Sequence, residues 1–358
     1  MAKFANGLFP LLVLLALVCL SPLPIASAGA PRRVARSRQA HEEFRRQRRL
    51  TDIVDRGSRP PLHMFETKAH YEEEKREKGE SGQGGATSAA PMQYWGGPVM
   101  TGNPSVNVYI IYYGNWPAGS GQNVIENFIR SLSRDSNRQG DPSERKVKYW
   151  WAINEPYFQK LDGGKKNVSR KVRLSGTVYD KYSVGKSFGE NTVWKVVSSK
   201  VGDGKAFSYD PHGIYLLLTS KDVMIPGYCT EYCGYHTMDY IGSNGVVYSL
   251  VGHHGQCADG CGAQSTSPNG NPAIDATVST IAHEVAEAAT DPDASAGWFD
   301  KAGEENADKC SYEVGATKTG RDNRGNEYLY NLVGMKGMRF LIQQNWDRLK
   351  NKCVTQRR

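Results

Sequence analysis

Long apolar runs are scarce in this 358-residue chain. The one conspicuous run spans residues 8–20, after Lys3 and before the small residues ASAGA at 26–30. It falls short of the roughly 20 apolar residues that a membrane span needs. Charge, apolar segment and small-residue exit form the layout of a secretory signal peptide, with cleavage expected after Ala28 or Ala30. No later segment is apolar enough to anchor the chain, so an exported, soluble product is expected. Other signatures are missing too. There is no phosphate-binding loop, which removes the commonest nucleotide-binding reading. No internal repeat is visible. A basic face is also lacking, despite a formal net charge of +8. Residues 31–90 hold 14 Lys and Arg against 10 Asp and Glu, and residues 91–358 hold 30 against 27. The body of the chain is nearly balanced, so nothing argues for nucleic acid as a partner.

Cysteine is sparse, with seven in all. Cys19 lies in the signal segment. The six others are Cys229, Cys233, Cys257, Cys261, Cys310 and Cys353. An even number in an exported chain reads as disulfides. The pairing expected is Cys310 with Cys353, and the other four among themselves. A C-x3-C zinc site is the rival, disfavoured because an oxidising compartment consumes thiols.

Residues 31–91 are rich in charge and poor in large apolar side chains, as in RRQRR at 45–49 and YEEEKREK at 71–78. Such composition cannot bury enough surface to offset chain entropy. A disordered pro-segment cut near Arg48-Arg49, or a spacer, is expected, with some charged helix and a Gly/Ser/Ala linker at 79–90. Order is expected from Met92, giving one domain over 92–358. VNVYIIYY at 106–113, residues 172–179, GIYLLLT at 213–219 and GVVYSL at 245–250 read as strands. Residues 123–133 and 193–201 read as helical, and 148–153 as an aromatic segment. Alternating strands and helices predict an α/β fold: a mixed twisted sheet with helices packed on it and a disulfide-stabilised C-terminal half. NVS at 167–169 is a glycosylation sequon on Asn167.

The chemistry concentrates in STIAHEVAEAATDP at 279–292. Asp275 is a plausible N-cap for a helix over 276–289, which ends before Asp291-Pro292. Val278, Ile281, Val285 and Ala289 form a stripe that packs on the sheet. His283 and Glu287 lie one turn apart on one face, with Glu284 beside them. Two ligands at i and i+4 with Glu after the first is the layout of a helical metal site. The usual motif ends in His. Glu287 in that slot makes the site more anionic and shifts it toward harder divalent ions, though zinc accepts carboxylate oxygen at about 2.0–2.2 Å. Glu284 is then the candidate general base. Glu305 or Asp308, tethered by Cys310, supplies a further ligand, and His236 the imidazole missing at 287. His253 and His254 are weaker candidates. The preceding strands, with residues 214–219 as the edge strand beside the cleft, suggest a zincin-like domain. Paired glycosidase carboxylates have no fixed spacing to search for. The tryptophans suit a core better than a sugar-stacking surface.

Several stretches together resemble the plant EXORDIUM, or phosphate-induced protein 1, family. They are YWGGPVMTG (94–102), VYIIYYGNW (108–116), YCGYH (232–236), HEVAEAATDP (283–292), ENADKC (305–310) and GMRFL (337–341), followed by Trp346 and Cys353. The resemblance covers Met92 to Cys353 and is carried by the combination. It implies a secreted apoplastic or cell-wall protein linked to growth control, without an established biochemical activity. It also places the chain with members that keep the H-E-x-x-E helix. Two expectations follow. One is a metal-dependent hydrolase, a zincin-like peptidase using zinc or another divalent ion and acting on an extracellular protein or peptide. The other is a non-catalytic wall protein in growth signalling or carbohydrate binding, whose acidic and His cluster is structural.

Overall fold

The structure is a computed structural model and describes residues 64–77, 90–134, 143–189, 191–257, 260–293 and 295–358. In chain order its principal elements are β1 (Met64–Glu66), α1 (Lys68–Glu77), β2 (Gln93–Tyr94), β3 (Val106–Tyr113), α2 (Gln122–Ser131), α3 (Val147–Trp151), β4 (Phe158–Leu161), β5 (Gly164–Asn167), β6 (Val172–Asp180), α4 (Thr192–Lys200), β7 (Gly213–Thr219), β8 (Tyr232–Ile241), β9 (Asn244–Val251), α5 (Pro272–Thr290) and β10 (Trp298–Phe299). The main sheet has six strands in the order β1-β8-β9-β7-β3-β6. β9, β7, β3 and β6 run parallel, and β8 and β1 each pair antiparallel with their neighbour. The mixed α/β architecture read from the sequence is therefore present.

β7 shows why the sheet is layered on both sides. Side chains alternate faces along a strand. Ile214, Leu216 and Leu218 join the core that holds α2 and α5, whereas Tyr215 and Leu217 join the core that holds α4. A strand apolar on both faces belongs in the middle of a parallel sheet. β7 accordingly sits between β9 and β3, which corrects the expectation that residues 214–219 form the edge. On the α5 side the sheet ends in β8 and the short edge strand β1 paired on it. β8 is the strand that meets α5. Its sequence YCGYHTMDYI carries Cys, Gly, His and Asp and has no strand alternation. It enters the sheet as a hairpin with β9 through the two-residue link Gly242-Ser243, where Gly242 takes a positive φ.

α5 is longer than its apolar stripe suggests. It begins at Pro272, and the N-cap is Asn271, whose side chain accepts from the Ile274 amide at 3.3 Å. Pro at the first helical position needs no N–H partner. Asp275, the expected cap, lies inside the first turn, where Ser267 and Asn269 donate to its carboxylate.

The other correction is at the N-terminal side. Residues 31–91 are not uniformly outside the fold: Met64–Glu66 is a strand on β8, and Lys68–Glu77 is a helix. The composition argument concerned what a charged segment can bury by itself. Here the partner is a ready-made sheet edge, so three residues and one Phe suffice. The signal segment, the Arg48-Arg49 site and residues 79–89 of the linker lie outside the described residues.

Three disulfides are formed: Cys229–Cys257, Cys233–Cys261 and Cys310–Cys353. They consume the thiols of the alternative cysteine zinc site. The C-terminal part adds short two-stranded pairs, among them Lys318–Arg321 with Glu327–Tyr330 and Asn345–Asp347 with Lys352–Val354. Five of the seven tryptophans are buried; Trp194 stacks on Tyr248, and Trp95 alone is exposed, at 58%. Asn167 is exposed at the end of β5.

Candidate metal centre

α5 delivers His283, Glu284 and Glu287 to one buried place because it packs across β8 and β9. The approach to β8 is close at Gly234. A β-carbon there would lie 2.8 Å from Thr280 Cγ2 and 2.9 Å from Glu284 Oε1, so only glycine lets strand and helix meet. His236, two residues along β8, faces the same side and reaches the helix carboxylates. Its Nδ1 is 3.5 Å from Glu284 Oε2 and 3.7 Å from Glu287 Oε2. The turn 305–310 closes the cluster from a third direction. Asp308 Oδ1 lies 3.2 Å from His283 Nε2, and Glu305 Oε1 lies 3.8 Å from His236 Nε2. Cys310–Cys353 ties that turn to the C-terminal strand pair. His236, His283, Glu284, Glu287 and Glu305 are each 0 or 1% exposed, and Asp308 is the half-buried member through which the cluster reaches solvent.

The protons on the two imidazoles can be assigned from their partners. Gln343 Nε2 donates to the Ala307 carbonyl at 2.9 Å, which turns Gln343 Oε1 toward His283 Nδ1 at 3.1 Å. Oε1 only accepts, so Nδ1 carries the proton. His283 Nε2 then presents a lone pair, 3.0 Å from Glu287 Oε1. His236 is held likewise. Its Nε2 lies 3.2 Å from the Asp291 carbonyl, an acceptor, so Nδ1 is left facing Glu284 and Glu287. Glu287 thus stands between two imidazole nitrogens, one at each carboxylate oxygen, and its Oε1 also accepts from the Asp308 amide at 3.0 Å.

Lone pairs facing carboxylates repel unless a cation lies among them. Among the described residues, His236 Nδ1, His283 Nε2 and both oxygens of Glu284 are buried without a hydrogen-bond partner. Buried polar atoms are rarely left in this condition, and four in one cluster mark a group to be bound. Protons are the other remedy. Burial by itself lowers the His236 imidazole, but Glu284, Asp291 and Glu287 outweigh it and push it up to about 9. Burial and the carboxylates of Asp308 and Glu284 push Glu287 up to about 8, against the pull of His283. Burial, then Asp291 and Glu287, raises Glu305 well above the carboxylate range. A divalent ion would replace those protons. Nitrogen and carboxylate oxygen donors suit zinc or another borderline divalent metal.

Two triplets that share Glu287 meet here, His236 with Glu287 and Glu305, and His283 with Glu284 and Glu287, the donor atoms of each within 4.8 Å of one another, and Asp308 lies against His283. Spacing did not reveal Gln343, which has no motif, or Asp291, which extends the row from 283 and 287 by one further turn. His254 is excluded. Its ring lies 2.5 Å from Tyr228 Oη and 2.6 Å from Thr280 Oγ1, and burial pushes it down to about 3. His253 accepts from the Gly255 amide, outside the cluster.

Comparison with known proteins places the chain in a family. The conserved region of phosphate-induced protein 1 matches residues 92–356. Protein EXORDIUM-like 5 of Arabidopsis thaliana is 30% identical over 300 residues, which are 75% of this chain and 78% of that protein. Protein EXORDIUM-like 3 of the same plant is 31% identical over 297 residues, or 75% and 84%. Protein PHOSPHATE-INDUCED 1 of Nicotiana tabacum is 30% identical over 223 residues, or 56% and 65%. No solved structure matches, so the zincin comparison has no counterpart by likeness of fold. The chain belongs to the phosphate-induced protein 1, or EXORDIUM, family.

Proposed function

We propose that this family member works outside the cell and holds a divalent cation, zinc first among the candidates, at Glu287, whose two carboxylate oxygens face His236 and His283. Glu305 and Asp308 complete the donor set. The observation that carries the reading is the pair of imidazoles, each with its outer nitrogen committed to an oxygen and its inner nitrogen aimed at Glu287. An outer partner of this kind is what orients a ligating histidine. Three disulfides fit an oxidising compartment, and among the described residues no helix is long and apolar enough to cross a membrane.

The finer reading is a metal-dependent peptidase. A bound divalent ion supplies polarisation of a carbonyl and a more acidic water. Glu284 follows the ligand His283 directly, and burial raises its carboxyl. In this reading it would accept a proton from the attacking water and return it to the leaving amine. A structural ion is the competing reading, favoured by the near-complete burial of the donors. Metal analysis by mass spectrometry of the secreted full-length chain and its His283→Ala variant tests the shared claim. About one equivalent of metal is expected in the wild type, and none in the variant. Absence from both removes the metal reading. Glu284→Gln separates the finer readings: it keeps the metal and abolishes hydrolysis of a peptide library if the site is catalytic. No hydrolysis by wild type, with a lower melting temperature after chelation, leaves the structural ion.

A further inference from the structure

β1 is a three-residue strand paired on the outer side of β8. Its register puts Met64 opposite Tyr235, Phe65 opposite Gly234 and Glu66 opposite Tyr232, with a bulge between the last two. Residues paired across strands share a face. Phe65 therefore points to the same side as Gly234 and His236, toward α5. Because Gly234 has no side chain, the Phe65 ring has room to lie on His283, stacked at 4.0 Å between centroids. Tyr312 flanks the ring at 5.2 Å and donates its hydroxyl to the Glu66 carbonyl at 2.6 Å. The main chain continues the attachment: Thr67 N–H donates to the Glu231 carbonyl and Lys68 N–H to the Gly260 carbonyl. Phe65 is 3% exposed, and beneath it His283 is fully covered.

This is how a sheet edge receives an extended peptide: affinity comes from main-chain hydrogen bonds and selectivity from a pocket for alternate side chains. We propose that the β8 edge is a peptide-binding groove, which takes an extended strand antiparallel to β8 with an aromatic side chain on His283, and that Met64–Glu66 is its built-in occupant. The ligand class is a peptide segment with an aromatic residue free of bulky neighbours on the α5 side. Its role as the substrate side of the metal centre rests on the reading above; the binding of a strand does not. A cut at Arg48-Arg49 would leave this occupant attached, because residues 64–77 lie downstream. A tethered strand competes at an effective concentration in the millimolar range when its linker is short and flexible, so outside peptides bind only when it yields.

The test uses the secreted full-length chain in chelator and a fluorescent peptide covering residues 60–77, read by anisotropy. Phe65→Asp in the protein releases the occupant, and Phe65→Ala is the milder variant should the first fail to be secreted. Both are expected to bind the peptide at least about tenfold more tightly than wild type. The same peptide with Ala at the Phe65 position is expected to bind about tenfold more weakly to the released protein. A folded variant that binds no better than wild type, or that binds both peptides equally, overturns the groove. The chelator separates the two readings. Peptide binding in chelator sustains the groove whatever the metal analysis of the untreated chain finds. About one equivalent of metal in the untreated chain, with no peptide binding by the released variants, overturns the groove and leaves the metal reading standing.

Discussion

In the proposed site, His283 acts as a metal donor only while Gln343 holds its ring. The amide is itself fixed by the Ala307 carbonyl, and the residue is 2% exposed. Gln343→Leu keeps volume and leaves His283 Nδ1 without its acceptor. Metal affinity, measured by chelator competition, is expected to fall roughly 10- to 100-fold, the usual effect of losing such an outer partner. An unchanged affinity would mean that His283 is not a ligand. At this scale the sequence was legible where chemistry follows spacing. His283, Glu284 and Glu287 share a turn of helix, and the acids at 305 and 308 stand just before a cysteine. Gln343 was illegible because nothing in GMRFLIQQNW distinguishes an amide that orients a histidine from one that faces water. Phe65 was hidden for a similar reason, as one aromatic in a charged stretch whose partner is 218 positions away at His283.

Among elements, α5 carries most of the site and depends on its first turn. Asn271 supplies the side-chain cap, Pro272 follows, and the Asp275 carboxylate gathers the preceding loop. Asn271→Ala is expected to cost about 1 kcal/mol, seen as a lower midpoint in denaturant with an unchanged slope. A neutral substitution would show that Pro272 and the Asp275 contacts suffice. The central strands were plain from their β-branched and aromatic runs, and the two helices at 123–133 and 193–201 were found within a residue or two. β8 was not, since Cys233, Gly234, His236 and Asp239 break every strand pattern. Each is there for a different purpose: a disulfide, room for α5, the second imidazole and a hydrogen bond to the Tyr240 amide. Functional strands are hard to read because the site dictates their composition.

For the molecule as a whole, stability and site share their fastenings. Lys309 is fully buried, 2.8 Å from Asp300 and 4.4 Å over the Trp346 ring, next to the half-cystine Cys310. The bridge to Cys353 begins next to this pair and closes the segment that carries the C-terminal strand pairs. Replacing both cysteines by Ser is expected to lower stability by roughly 2–5 kcal/mol. It should also weaken metal retention, because Asp308 and Glu305 hang on the same turn. Thermal melts with and without chelator check this, and a variant that melts lower yet holds metal as before would uncouple the two. The other bridges, each joining cysteines 28 positions apart, fasten the head of β8 and the residues just before it to the loop before α5. A strand pinned in this way cannot be lent to a second copy of the chain. Exchange of β8 between molecules is closed, and copies can meet along this edge only by adding a strand to it. β1 already occupies that position over residues 232–235, so it also works as a guard against edge-to-edge aggregation.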